Sequence, residues 1–232
     1  MHTYFINNWI KITQSCILCD LATSNTKAIC DSCQSDLPWL NTHCYCCAIP
    51  LPINTEELCK TCIKTSPHFK QTIAAFHYLF PIDLILPKVK KSQQRYHLRW
   101  LAACLAKKIT SNPLYVLPQA IIPVPISHLK KLRKGYNQTE LLALELTRRI
   151  NIKTDLSLVS KNRNTQAQAQ LSAQLRKSNL KDAFDVRENS YHHLAIVDDV
   201  MTTAATVNEI AKVLQQSGVE KIDVWVLART PV

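Results

Sequence analysis

The stretch LAIVDDVMTTAAT, residues 194–206, sets the reading of this 232-residue chain. Its first four residues are apolar, which suits a strand buried on both faces of a parallel sheet. Asp198 and Asp199 follow at the expected carboxyl end of that strand, where ligands bind in open parallel sheets. Thr202, Thr203, Ala204, Ala205 and Thr206 then surround the start of an expected helix. Val207, Ile210, Ala211 and Leu214 give that helix one apolar face, and Gly218 ends it. Free N–H groups and the helix dipole at such a start suit a phosphate, and hydroxyls add donors. Paired acids suit ribose hydroxyls or a magnesium ion held on phosphate. The threonines would also serve as N-caps, a role compatible with phosphate binding.

Outward from this stretch the pattern alternates. Strands are expected at 72–79, 120–126, 194–197 and 222–227, with a short one at 156–159. Helices are expected at 81–90, 98–109, from 172 to about 179, and from 207 to Gly218. Another follows the capping spacing of Asn137 and Glu140 and repeats Leu142, Leu146 and Ile150 on one face. A basic loop is expected over 127–135. Strands and helices in alternation imply an α/β domain, a parallel sheet flanked by helices.

Only two glycines occur, Gly135 and Gly218, where average usage would give roughly sixteen. That excludes G-x-G-x-x-G, G-x-x-x-x-G-K-[ST] and G-x-S-x-G in their usual forms. The net charge is +11. From Ile85 to Thr139 there is no acidic residue, and 11 of the 28 lysines and arginines lie there. The remaining 17 balance the 17 acids. A one-signed segment attracts phosphates or polyanions; the alternative is a solvated basic face. Tyr96, His97, Trp100 and Tyr136 lie among these cations as candidates for stacking on bases, with Trp100 equally a candidate for the core.

Eight of the ten cysteines form four C-x-x-C pairs: Cys16/Cys19, Cys30/Cys33, Cys44/Cys47 and Cys59/Cys62. Each pair directs two thiolates at one ion, so four pairs predict two closed structural zinc sites rather than disulfides. Sequential pairing makes a double zinc ribbon; an interleaved pairing uses the same residues. Cys46 blurs the third pair, and Cys104 reads as core. The boundaries expected are a cysteine-rich module over 1–68 and an α/β domain over 69–232. The module has four cations against five acids, which favours structural support or a protein contact over a DNA grip.

Residues 194–206 resemble the PRPP-binding signature of type I phosphoribosyltransferases. Together with IIPVPISHLKKLRKGYNQTELLA from Ile121, RNTQAQAQLSAQLRKSNLKDAF from Arg163, IDVWVLART from Ile222 and the four cysteine pairs, the chain resembles the ComF competence proteins. The resemblance implies a type I phosphoribosyltransferase-like sheet preceded by the zinc module, and a role in natural transformation, handling incoming single-stranded DNA. It places the ribose at Asp198 and Asp199 and the 5′-phosphate at Thr202, Thr203, Ala204, Ala205 and Thr206. Lys130, Lys131, Arg133, Lys134, Gly135, Tyr136 and Asn137 form the expected pyrophosphate and DNA segment, and Arg163, Thr165 and Gln166 a hood. Ala204 stands where the signature normally has glycine.

Three readings compete: a DNA-handling competence protein with a pocket for PRPP (with magnesium) or a nucleotide, a phosphoribosyltransferase acting on a small base or nucleotide, and a zinc-stabilised interaction module. No acceptor site or catalytic base is identifiable, which ranks the first above the second. Expected partners are single-stranded DNA and proteins of the DNA-uptake machinery. With no run of about 18 apolar residues and no signal peptide in 1–13, the expected location is the cytoplasm, with the inner face of the membrane as a variant.

Overall fold

A computed structural model describes residues 15–23, 28–52, 57–90, 96–162 and 182–231. In chain order its elements begin with α1 (Asp31–Ser35), α2 (Lys60–Lys64), β1 (Gln71–His77), α3 (Ile82–Lys90) and α4 (His97–Thr110). There follow β2 (Ala120–Pro123), α5 (His128–Lys134), α6 (Gln138–Ile150), β3 (Val159–Lys161) and β4 (Phe184–Val186). The chain closes with β5 (His193–Met201), α7 (Ala205–Gln216) and β6 (Lys221–Arg229).

Four strands make one parallel sheet in the order β1-β6-β5-β2, which bears out the expected fold class. Their near-continuous burial is the reason the apolar runs read as strands. Side chains alternate across the sheet. Ile122, Leu194, Ile196, Val224 and Val226 face Val207, Ile210, Ala211 and Leu214 of α7. Alternation turns Ile121, Ala195, Val197 and Trp225 to the opposite face, where α4 and α6 pack. Contacts divide the chain into two compact units, 1–37 and 38–232. The second half of the cysteine-rich stretch thus shares a unit with the sheet, and Cys44, Cys46, Cys47 and Cys62 join the same core cluster as α7.

Three local expectations change. The basic stretch 127–135 is mostly helix, α5, closed by Gly135 in the left-handed conformation at φ 75°. It buries none of its side chains, so it has no apolar stripe to announce it. The short strand expected at 156–159 starts three residues later, because the Asp155 carboxylate accepts from Ser157 N and Leu158 N and holds a turn there. Its partner β4 is antiparallel and was not expected. Finally, β5 continues through both aspartates to Met201 rather than stopping at 197. The expected helix at 172–179 lies outside the described residues.

Asn137 caps α6, its side chain accepting from Thr139 N at 3.2 Å. Glu140 does not close the capping box; it pairs with Lys131 at 2.8 Å instead.

Candidate phosphate site and metal centres

The sulfurs gather in two groups, Cys16/Cys19/Cys30/Cys33 and Cys44/Cys47/Cys59/Cys62, each with all four within 4.8 Å of one another. Pairing is therefore sequential. Sulfurs 3.7 Å apart, as in Cys19/Cys30 and Cys47/Cys59, match the edge of a tetrahedron with Zn–S near 2.3 Å. The thiols behave as a set built for a cation. Burial raises Cys16, but backbone N–H groups outweigh it and bring the thiol down to about 6. Cys33 is pushed far up by the neighbouring Cys19 and Cys30 sulfurs. Four thiolates this close need a positive ion between them, and zinc would supply a closed structural crosslink.

The two sites are built alike. Cys16 N donates to Leu21 O and Asp20 N to Cys16 O; Cys44 N donates to Ile49 O and Ala48 N to Cys44 O. Asp20 and Ala48 occupy equivalent places and share a left-handed conformation, at φ 59° and 53°. Cys46 stays outside the second cluster: it is buried, and its thiol donates to Phe69 O at 3.6 Å. Cys104 is buried in α4, as expected for core.

On the carboxyl edge of the sheet, a cavity of about 550 Å³ opens between the second cluster and the start of α7. Its walls include Cys59, Thr65 and His68 from one side and Thr202, Thr203 and Ala205 from the other. The loop 202–204 turns through Ala204, whose φ of 59° lies in the left-handed region that favours glycine, although its methyl group works against that conformation. α7 begins with no side-chain cap. Its first N–H groups are the donors available to an anion.

Asp198 and Asp199 do not point the same way. Consecutive strand residues face opposite sides. Asp199 is buried on the α6 side, accepting from Gln138 Nε2 at 3.2 Å and from Val200 N at 2.7 Å. Asp198 faces the α7 side and is half-buried.

On the neighbouring strand, β2 hands over to α5, where Lys130, Lys131 and Arg133 are exposed. Lys134 reaches Gln138 Oε1 at 2.6 Å and stands 4.9 Å from the Tyr136 ring centre. Tyr136 and Asn137 are buried and structural in their contacts: the phenol donates to Val89 O, and Asn137 Nδ2 to Val124 O. Among the proposed stacking residues, His97, Trp100 and Tyr136 are buried, and the Trp100 indole donates to His97 Nδ1. Tyr96 is exposed, and so is Phe80, which the sequence reading passed over. Arg163, Thr165 and Gln166 lie outside the described residues.

Two further cations emerge from the structure. Burial, with Lys130 nearby, holds Lys161 down at about 8. Arg229, at the end of β6, is buried; burial pushes its pKa down, while the Cys47, Cys59 and Cys44 sulfurs pull it back up. The signal for Arg229 was a lone cation ending the apolar strand IDVWVLAR. Lys161 sits in a three-residue strand and had none.

Among the described residues, no helix is long and apolar enough to cross a membrane. Residues 12–63 match the double zinc ribbon domain family. Competence protein F of Haemophilus influenzae is 36% identical over 210 residues, covering 88% of this chain and 91% of that protein. DNA utilization protein YhgH of Escherichia coli is 32% identical over 223 residues, covering 93% and 90%. Among solved structures, adenine phosphoribosyltransferase of Thermoanaerobacter pseudethanolicus aligns with a TM-score of 0.37 and 14% identity over 60% of this chain and 83% of that one. Identity and coverage at this level, with both cysteine clusters in place, make the chain a member of the ComF/YhgH competence family.

Proposed function

We propose that the protein handles single-stranded DNA during DNA uptake, and that residues 202–206 hold the phosphate of PRPP or of a nucleotide. The observation that supports this best is the placement of two features on one edge. The cations of α5 and the start of α7, which has no side-chain cap, follow neighbouring strands, β2 and β5, at their carboxyl ends. Single strands bind to cations that track the backbone and to exposed rings. Exposed rings suited to that include Tyr96 and Phe80. The relatives' names, a competence protein and a DNA utilization protein, point the same way. In this reading Asp198 faces the ribose, magnesium accompanies PRPP, zinc keeps the ribbons folded, and the uptake machinery supplies the DNA in the cytoplasm.

Fluorescence anisotropy with a labelled oligonucleotide tests the DNA part. The logarithm of affinity should fall with log salt at about 0.7 per phosphate neutralised. Changing Lys130, Lys131, Arg133 and Lys134 together to glutamate should weaken binding by at least roughly tenfold and flatten that slope. Salt-independent binding, or binding indifferent to these four changes, contradicts the reading. For the pocket, PRPP with magnesium should raise the melting temperature of the wild type. Asp198→Asn should lessen that rise.

A further inference from the structure

Arg229 stands between the second cysteine cluster and the phosphate loop and touches both. Its Nε donates to the Cys47 carbonyl at 2.9 Å. Its Nη1 donates to the carbonyls of Met201 at 3.2 Å, Thr202 at 2.5 Å and Thr230 at 2.7 Å. Met201 and Thr202 are the backbone by which β5 enters the loop. The whole residue is only 3% exposed.

A buried guanidinium needs a compensating negative charge. Among the described residues, no carboxylate forms an ion pair with it. Its tie on the other side is to the carbonyl of Cys47, a member of the second cluster. Four thiolates around one Zn²⁺ would leave a net charge of about −2 on the cluster that includes Cys47. Bound zinc would therefore both fix the Cys47 carbonyl that holds Arg229 Nε and place negative charge on the side of the guanidinium where Cys47 lies. The fixed fork of the guanidinium places Nε on Cys47 and Nη1 on the loop carbonyls at the same time, a span that the single nitrogen of an ammonium does not have.

We propose that Arg229 is the positioning residue of the phosphate loop, and that zinc in the second cluster keeps it in place. The loop's grip on a phosphate then depends on a metal centre that does not touch the ligand. This rests on the reading of residues 202–206 as a phosphate site. The first cluster belongs to the other compact unit.

The test uses the full zinc-loaded chain and backbone ¹⁵N order parameters, which need no ligand. In the wild type the amides of residues 202–206 should sit near 0.85, the rigid range. In Arg229→Lys, with zinc content unchanged, they should drop below about 0.6, while those of residues 194–197 in β5 stay rigid. Cys62→Ser should loosen the same loop, and Cys33→Ser should leave it unchanged. Should Cys62→Ser unfold β5 as well, Arg229→Lys alone decides. An unchanged loop in Arg229→Lys overturns the proposal, and so does equal loosening in Cys33→Ser. PRPP affinity, measured by calorimetry, should fall about tenfold in Arg229→Lys. If the wild type binds no PRPP, the phosphate reading fails, while the order parameters still decide the role of Arg229.

Discussion

The two cysteine clusters share a ligand set, a knuckle geometry and a left-handed residue at the same place, yet they do different work. In the first, Cys16 is buried but Cys19 is exposed and Cys30 and Cys33 are half-buried. In the second, Cys44, Cys47 and Cys62 are buried, and they pack with Leu40, Phe69 and the strands. Thr72 of β1 donates to the Cys46 carbonyl at 2.6 Å, and Arg229 of β6 donates to that of Cys47. The first ribbon belongs to the unit 1–37; the second is a wall of the sheet's core. A metal motif thus acquires its structural weight from what its knuckle carbonyls and apolar neighbours touch, since the donor chemistry is the same in both.

The largest expected effect follows from that contrast. Cys62→Ser should lower the stability of the 38–232 unit by several kcal/mol, because zinc–thiolate sites contribute on the order of 10 kcal/mol to folding. Cys33→Ser should unfold residues up to 37 and leave the melting of the larger unit nearly unchanged. Calorimetry on both variants, with zinc content measured beside it, checks the pair; equal losses would erase the distinction. A middle-sized effect isolates one contact. Thr72→Val keeps the shape but leaves the buried Cys46 carbonyl without its hydroxyl, at a cost of about 1–3 kcal/mol in a urea titration. A loss below measurement error would mean that β1 does not depend on the knuckle.

The smallest effect tests the repeat itself. Alanine in the left-handed region costs about 1 kcal/mol or more, whereas aspartate visits it more readily. Ala48→Gly should stabilise its unit by about 1 kcal/mol, and Asp20→Gly its own by only a few tenths. The measurement is denaturant midpoint for the first and zinc-chelator competition for the second. Ala204, at φ 59°, carries the same strain as Ala48, so Ala204→Gly should give a gain of similar size.

Much of this architecture was legible because buried parallel strands are written as unbroken apolar runs. Residues 194–197 and 222–227 announced β5 and β6, and the cysteine spacing announced both clusters. What escaped had no apolar signature. α5 buries nothing, so a helix read as a loop. β5 runs on through two carboxylates, and a strand that ends in aspartates is not separable by periodicity from one that stops before them. That continuation splits Asp198 from Asp199 across the sheet. Tyr136 and Trp100 looked like stacking rings among cations, but their polar tips have partners inside, on Val89 and His97. The tie between Arg229 and Cys47 spans 182 positions, a separation no local pattern can encode.

The place of β6 in the sheet has a consequence for how the chain is made. It lies between β1 and β5, yet it follows both in the sequence, and among the sheet strands β1 pairs only with β6. At a synthesis rate of about 5–20 residues per second, Arg229 leaves the ribosome ~10–40 s after Cys47, given the 182 positions between them. For that interval β1 and the second ribbon face solvent without the strand they are shaped to meet. The ribbon's contacts are local, so metal can fold it at once. The nascent chain therefore waits as a metal-locked platform with an open strand edge, until the last strand slides in and completes the sheet from its middle.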